Sequence, residues 1–253
     1  MRLEPTSLRV GSFLDIPRGL CGGMSSVNKF GRNANIASGA TEEVWDGSAT
    51  YVFPATALMT KISGKVNQAA MTGKVIEVQG LDAKWNAVTQ NATLNASNTT
   101  TAVTLATPLV RCFRLKVLAD VVTDQGIAVH NDADNQDYAI ITAGNNQTLM
   151  AIYTIPANKT AYIENYYAVV NPGGGAPGTL HIKLWVADRH NLYAKQLKHI
   201  LGLSADVDAY GYFQHHFDPN LKVTQKSDIF ITATTSGAAV DVSAGFDLVL
   251  EDN

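Results

Sequence analysis

Six histidines, at 130, 181, 190, 199, 215 and 216, and two cysteines, Cys21 and Cys112, are the residues of this 253-residue chain best suited to hold a metal or serve as nucleophile or base. None stands in a spacing that such chemistry uses. The sequence contains no His-Glu-x-x-His, no Gly-x-Ser-x-Gly and no Cys-x-x-Cys, the short patterns that bring ligands, or a nucleophile and its support, together. His215 and His216 fall among strand formers, where adjacent side chains point to opposite faces, so one ion cannot readily take both. The run His130-Asn131-Asp132-Ala133-Asp134-Asn135-Gln136-Asp137 offers oxygen atoms at alternate positions, as a calcium loop does. It lacks the glycine of the sharp turn and the closing bidentate glutamate, and reads as a solvated turn.

Other candidates give way to structural readings in the same manner. Arg114 and Lys116 alternate with Phe113, Leu115 and Val117, and the basic cluster that they form with Arg111 is read as the wet face of a strand and not a nucleic-acid site. Gly173, Gly174 and Gly175 can cradle a phosphate only ahead of a helix N-terminus, whereas Ile182, Leu184 and Val186 alternate with His181, Lys183 and Trp185 as a strand does. Asn91, Asn95 and Asn98 match glycosylation acceptors by chance in a Thr-rich chain without a secretion signal. The reading is therefore a protein that is not an enzyme, with no catalytic, cofactor-binding or metal residues to assign and no cofactor.

The elements that position these residues are strands. Val242, Ala244, Phe246, Leu248 and Leu250 alternate with polar or small residues, the mark of a half-buried antiparallel strand that pairs with earlier segments. Strands are also predicted over 74–79, 87–94, 111–118, 126–130, 149–155, 160–170, 179–186 and 229–234, with 191–203 readable as a strand or a short helix. Turn signals recur about every 8–12 residues, as in sandwiches and jelly rolls. The fold class is all-β: two antiparallel β-sandwich or jelly-roll-like domains, 47–145 and 146–253, behind an irregular N-terminal arm over 1–46. Within that arm Leu3, Leu8, Val10, Phe13, Leu14, Ile16, Leu20 and Phe30 are spaced as anchors for another surface, or else the segment holds a strand or two.

Hydrophobic residues make up 46% and charged ones 16%, below the ~25% of an average chain, so part of the surface is expected to be covered by neighbours. A net charge of −3 gives no reason to bind nucleic acid or an anionic membrane, and no run is long enough to span a bilayer. Cys21 and Cys112 fit neither a metal nor a redox spacing. Two free thiols in a reducing cytoplasm is the simpler reading, with a disulfide as the other.

Three ordered stretches carry a resemblance. They are Phe30-Gly31-Arg32-Asn33 with Glu43-Val44-Trp45-Asp46-Gly47 and Tyr51-Val52-Phe53-Pro54; Val78-Gln79-Gly80-Leu81-Asp82 with Asn86 and Thr93-Leu94-Asn95; and Asn146-Gln147-Thr148-Leu149 through Tyr153-Thr154-Ile155-Pro156-Ala157-Asn158-Lys159-Thr160-Ala161-Tyr162 to Phe213-Gln214-His215, Lys226-Ser227-Asp228-Ile229 and residues 242–250. The chain resembles virion structural proteins of tailed bacteriophages, of the marine and cyanobacterial type. That resemblance implies a capsid decoration or minor capsid protein, assembled in the host cytoplasm into the virion as a homo-oligomer, with the major capsid protein or other virion proteins as partners. Two alternatives accompany it: a tail or neck adaptor or adhesion protein, and a glycan-binding β-sandwich in which Trp85, Trp185, Tyr166 or Tyr167 stacks on a host-surface sugar.

Overall fold

The computed structural model describes residues 13–47, 50–133, 136–172, 178–188, 192, 194–204 and 211–253. Apart from two short 3-10 turns, the regular structure is β: β1 (Met24–Ile36), β2 (Thr41–Glu43), β3 (Met59–Gly64), β4 (Val75–Leu81), β5 (Ala87–Thr93), β6 (Val103–Leu109), β7 (Arg111–Val117), β8 (Ile127–His130), β9 (Asp137–Ile141), β10 (Ile152–Thr154), β11 (Lys159–Pro172), β12 (Thr179–Ala187), β13 (Lys195–Ser204), β14 (Gly211–Val223), β15 (Asp228–Thr235) and β16 (Val240–Asp252). The segment readable as strand or helix is the strand β13. No helix among the described residues is long and apolar enough to cross a membrane.

Four sheets form, and every strand pair within them is antiparallel. One runs β1-β16-β11-β14; its partner runs β15-β12-β13, with β10 and β2 side by side on the outer edge of β15. β10 pairs with residues 228–230 and β2 with 232–234, so the two are halves of one strand position. Counting that position once, the chain visits eight positions in the order 1-8-3-6 in one sheet and 2-7-4-5 in the other. That is the connectivity of a jelly roll.

Between the two halves lies residues 45–150, a smaller module of sheets β6-β3-β8-β9 and β5-β4-β7. Its two ends leave the jelly roll together: Trp45 bridges Met150, Asp46 N–H donates to Leu149 O and Ala151 N–H to Val44 O, each at 2.9 Å. The arrangement differs from two domains in tandem behind an irregular arm. Residues 24–36 and 41–43, placed in the arm by sequence, supply two strands of the jelly roll, and the first module is an insertion. β1 reads poorly because its glycine, asparagines and serines dilute the period, while main-chain pairing to β16 from Met24 to Asn33, and again at Ile36, holds it.

The two cores interleave. The jelly-roll core takes Ile163, Tyr166, Leu184, Ile231, Phe246 and Leu248, and also Leu81, Trp85 and Phe113 from the module. The module core takes Ile76, Leu109 and Leu115, and also Ile152 and Phe230 from the jelly roll. In β15 the period of two explains this: Ile229 and Ile231 face the sandwich interior, and Phe230 faces the module. The alternation expected in β16 is realised, with Val242, Ala244, Phe246, Leu248 and Leu250 all buried.

Gly31 marks the tightest approach. A Cβ there would lie 2.2 Å from Ala151 N and 2.4 Å from Val44 O, both backbone atoms of the neck. Gly31→Ala should therefore destabilise the protein by at least about 2 kcal/mol through overpacking, measured as a lower urea midpoint at unchanged slope.

Candidate functional site

The junction of module and jelly roll is built on a buried ion pair. Arg111 at the start of β7 and Asp228 at the start of β15 have side chains only 3% and 2% exposed. Nε and Nη2 of the guanidinium donate to Oδ1 and Oδ2 of the carboxylate at 2.8 and 2.9 Å, a bidentate fork. Nη1 donates to the carbonyls of Pro54 and Val110 at 2.6 and 2.8 Å, and Thr154 Oγ1 donates to Asp228 Oδ1. The guanidinium lies 5.0 Å from the Trp85 ring and 5.4 Å from that of Phe53. A cavity of about 310 Å³ opens beside the pair, walled by Phe53, Pro54, Phe230 and Lys195. With its two charges turned on each other, this is a joint and not a reactive centre.

Arg111 thus departs from the wet strand face expected of it. The β4-β7 ladder slips register between Gln79 and Gly80, and Arg111, Cys112 and Phe113 are buried in succession. Arg114 and Lys116 keep half-exposed positions, Lys116 pairing with Glu77 at 3.1 Å. Both cysteines are free and buried, and burial pushes the Cys112 thiol up to about 12.

A second cluster lies where the edge strands β13 and β14 of the two jelly-roll sheets face each other. His199 and His215 stack with centroids 3.6 Å apart and planes within 10°, Phe217 packs edge-on to His215, and Tyr166 Oη and His199 Nδ1 share a hydrogen bond of 2.6 Å. His216 points out to solvent, as adjacent residues of a strand require. Pairing of His199 with His215 was not legible, since it needs two edge strands of different sheets to meet. Burial first, and the neighbouring His215 second, hold the His199 imidazole below its ordinary value.

The third feature is the outer face of the β1-β16-β11-β14 sheet. Phe30, Gly245 and Tyr167 stand opposite one another across three strands, with Arg32, Ser243, Val169 and Tyr212 in the next row. Val169 is 43% and Tyr212 62% exposed. Tyr167 lies over the glycine, where a Cβ would come within 2.5 Å of its hydroxyl. The result is an apolar groove of about 290 Å³ between Phe30, Leu149, Tyr167 and Val169, fringed by the Arg32–Asp241 ion pair at 2.6 Å.

No family model matches the chain, and no curated protein does. Two solved structures share a loose likeness. One is the T=1 particle derived from infectious bursal virus, at 10% identity and a TM-score of 0.25, covering 87% of this chain and 56% of that one. The other is infectious bursal disease virus, Gt strain, at 11% identity and a TM-score of 0.20, covering 91% and 73%. Both are virus particles, and the chain spans little more than half the length of the first. At such TM-scores neither likeness supports a conclusion about this chain.

Of the aromatic residues considered for sugar stacking, Trp85 and Tyr166 are buried; Tyr167 and Trp185 are half-buried, with Trp185 Nε1 donating to Thr232 Oγ1. In the turn weighed for calcium, Asp132 and Asp137 approach Lys61 and Lys65 at 3.7 and 2.7 Å, while Asp134 and Asn135 lie outside the described residues, as do Gly173–Gly175 and His190. Among the described residues no three His, Cys, Asp or Glu side chains gather as a metal would need. Asn95 and Asn98 turn their Oδ1 atoms onto nearby backbone N–H groups, as turn residues do.

Removing one partner of the buried pair, by Arg111→Met or Asp228→Asn, should cost about 3–5 kcal/mol in urea unfolding. The double variant Arg111→Met, Asp228→Leu should recover most of that loss, since it strands no charge. A lowered imidazole value means that the unfolded chain binds the proton more readily, so stability should fall as pH drops through about 6.5. His199→Gln should flatten that part of the stability profile, followed by thermal unfolding between pH 7.5 and 5.

Proposed function

We propose that the chain is a non-enzymatic structural component of a bacteriophage virion, a capsid decoration or minor capsid protein that stabilises the head through repeated protein–protein contacts. The observation that carries this reading is the asymmetry of the jelly roll. One outer face is packed against the inserted module; the other presents Phe30, Tyr167, Val169 and Tyr212 on a broad sheet where Arg32 pairs with Asp241 and Asp247 accepts from the amides of Asn28 and Asn165. An exposed apolar patch of that kind marks an interaction surface. The low charged fraction and the resemblance of the ordered motifs to virion proteins point the same way. Jelly rolls also serve lectins and cupins, so the fold alone does not select the role.

Repetition is the mechanism. A contact of ~800 Å² per partner, copied around a symmetry axis, ties a lattice together without any single strong bond. The partner is the major capsid protein or another copy of this chain.

Antibody labelling of purified phage particles tests the assignment. Label on heads supports it, label on tails transfers the role to an adaptor or adhesion protein, and absence of the chain from particles overturns it. Val169→Asp, which places a charge on the apolar face without touching the core, should lower particle occupancy at least tenfold while leaving the thermal midpoint within a few degrees.

A further inference from the structure

Lys29 lies on β1 with 2% of its surface exposed and, among the described residues, with no carboxylate paired to it. Its amine donates to the backbone carbonyl of Phe113 and sits 5.9 Å from the centroid of that ring. An ammonium has three N–H donors, and this one makes no other hydrogen bond among the described residues. Lys29 lines a cavity of about 220 Å³ at the junction of β1, β4, β7 and β10, shared with Ser26, Asn28, Gln79, Arg114 and Tyr153. Arg114 Nη2 donates to Asn28 O at 3.0 Å, which holds a second cation at the rim. Glu77, the carboxylate that acts on Arg114, is already bound to Lys116 and to Gln79 Nε2. Gln79 thus gives one amide N–H to Glu77, and Tyr153 and Ser26 bring hydroxyl-bearing side chains to the cavity lining.

A buried cation without a counter-charge, beside a second cation and two hydroxyls, is the converse of the junction at Arg111, where the carboxylate is supplied from within. We propose that this cavity binds a small oxyanion, of the class of sulfate, phosphate or a carboxylate, held between the Lys29 ammonium and the Arg114 guanidinium with the Tyr153 hydroxyl donating to it.

The titration of the surrounding groups agrees with the geometry. Burial, and then Arg114, lower the Lys29 amine to about 7, and a bound anion restores its charged form. Burial raises Tyr153, which therefore stays a donor, and raises the Cys112 thiol to about 12. Of the groups facing the cavity from β1, β4, β7 and β10, Lys29 is the one that changes charge near neutrality.

The inference is independent of the virion reading and is tested on the full chain in solution. Thermal unfolding at pH 6.5 is followed with sodium sulfate, and in a second arm sodium acetate, against sodium chloride at matched ionic strength. The wild-type midpoint should rise with sulfate, by roughly 5–10 °C at a hundredfold excess over Kd. Lys29→Met, an apolar chain of similar length, should unfold cooperatively and show no sulfate-specific rise; Arg114→Gln, at a half-exposed position, should show a smaller one. Sulfate affinity should weaken roughly tenfold per pH unit above 7, because the amine must carry its proton to bind. A response to acetate equal to that of sulfate assigns the site to carboxylates, and a response to sulfate alone assigns it to tetrahedral anions. No rise beyond the chloride control, an undiminished rise in Lys29→Met, or constant affinity from pH 6 to 9 would overturn the proposal.

Discussion

The fork between Arg111 and Asp228 is the constraint on which the two halves of this molecule depend. An ion pair taken this far from water is stabilised only if its remaining donors and acceptors are met; here the carbonyls of Pro54 and Val110 accept from the guanidinium and the hydroxyl of Thr154 donates to the carboxylate. Those partners come from three separate segments. The pair therefore fixes the angle between module and jelly roll as well as their contact, since a guanidinium fork tolerates little rotation. Apolar contact does the rest: Phe53 rests on Phe230 at 5.2 Å, and Tyr51 packs edge-on against both Trp45 and Phe53. This aromatic file runs from the neck to the face of β15.

The groove on the opposite sheet depends on that arrangement. A jelly roll has two outer faces, and the insertion covers one of them and leaves the other open. Small residues at its centre, Ser243 and Gly245, lower the middle strand so that Phe30 and Tyr167 stand as banks on either side. The same residues that make β16 look half-polar in sequence thus shape the groove.

The sequence disclosed the class of fold and most strands of the jelly roll, because β12 and β16 keep a clean period of two. It disclosed their partners poorly. β1 pairs with a strand more than two hundred residues away, and its contribution is main-chain hydrogen bonding, which leaves no side-chain pattern. β2 is three residues long, too short for any period to register, and the strand read over 149–155 carries no sign that it completes the position that β2 begins, so the insertion reads as a first domain. Arg111 reads as solvated when it is grouped with the basic residues Arg114 and Lys116; what buries it is the jelly roll packed over that end of β7, with Asp228 and the carbonyl of Pro54 against it, and a contact between distant segments leaves no mark in the residue types. The Lys29 cavity was invisible for a related reason. A lysine flanked by Asn28 and Phe30 looks like any exposed lysine until three other strands close around it.

The neck at Trp45 and Met150 has a further consequence. Because the chain leaves the jelly roll and returns to it at neighbouring positions of one ladder, the hundred-odd residues between them are, to the jelly roll, a single long loop. Such a loop can be lengthened, exchanged or lost in descent with little change to the register of the strands that flank it. The parts that resist exchange are those that reach across, among them Arg111, Phe53, Trp85 and Phe113 on the insert and Asp228 and Phe230 beneath. An insert that keeps these contacts is free to vary elsewhere, and one that replaces them all must also give up a buried carboxylate on β15.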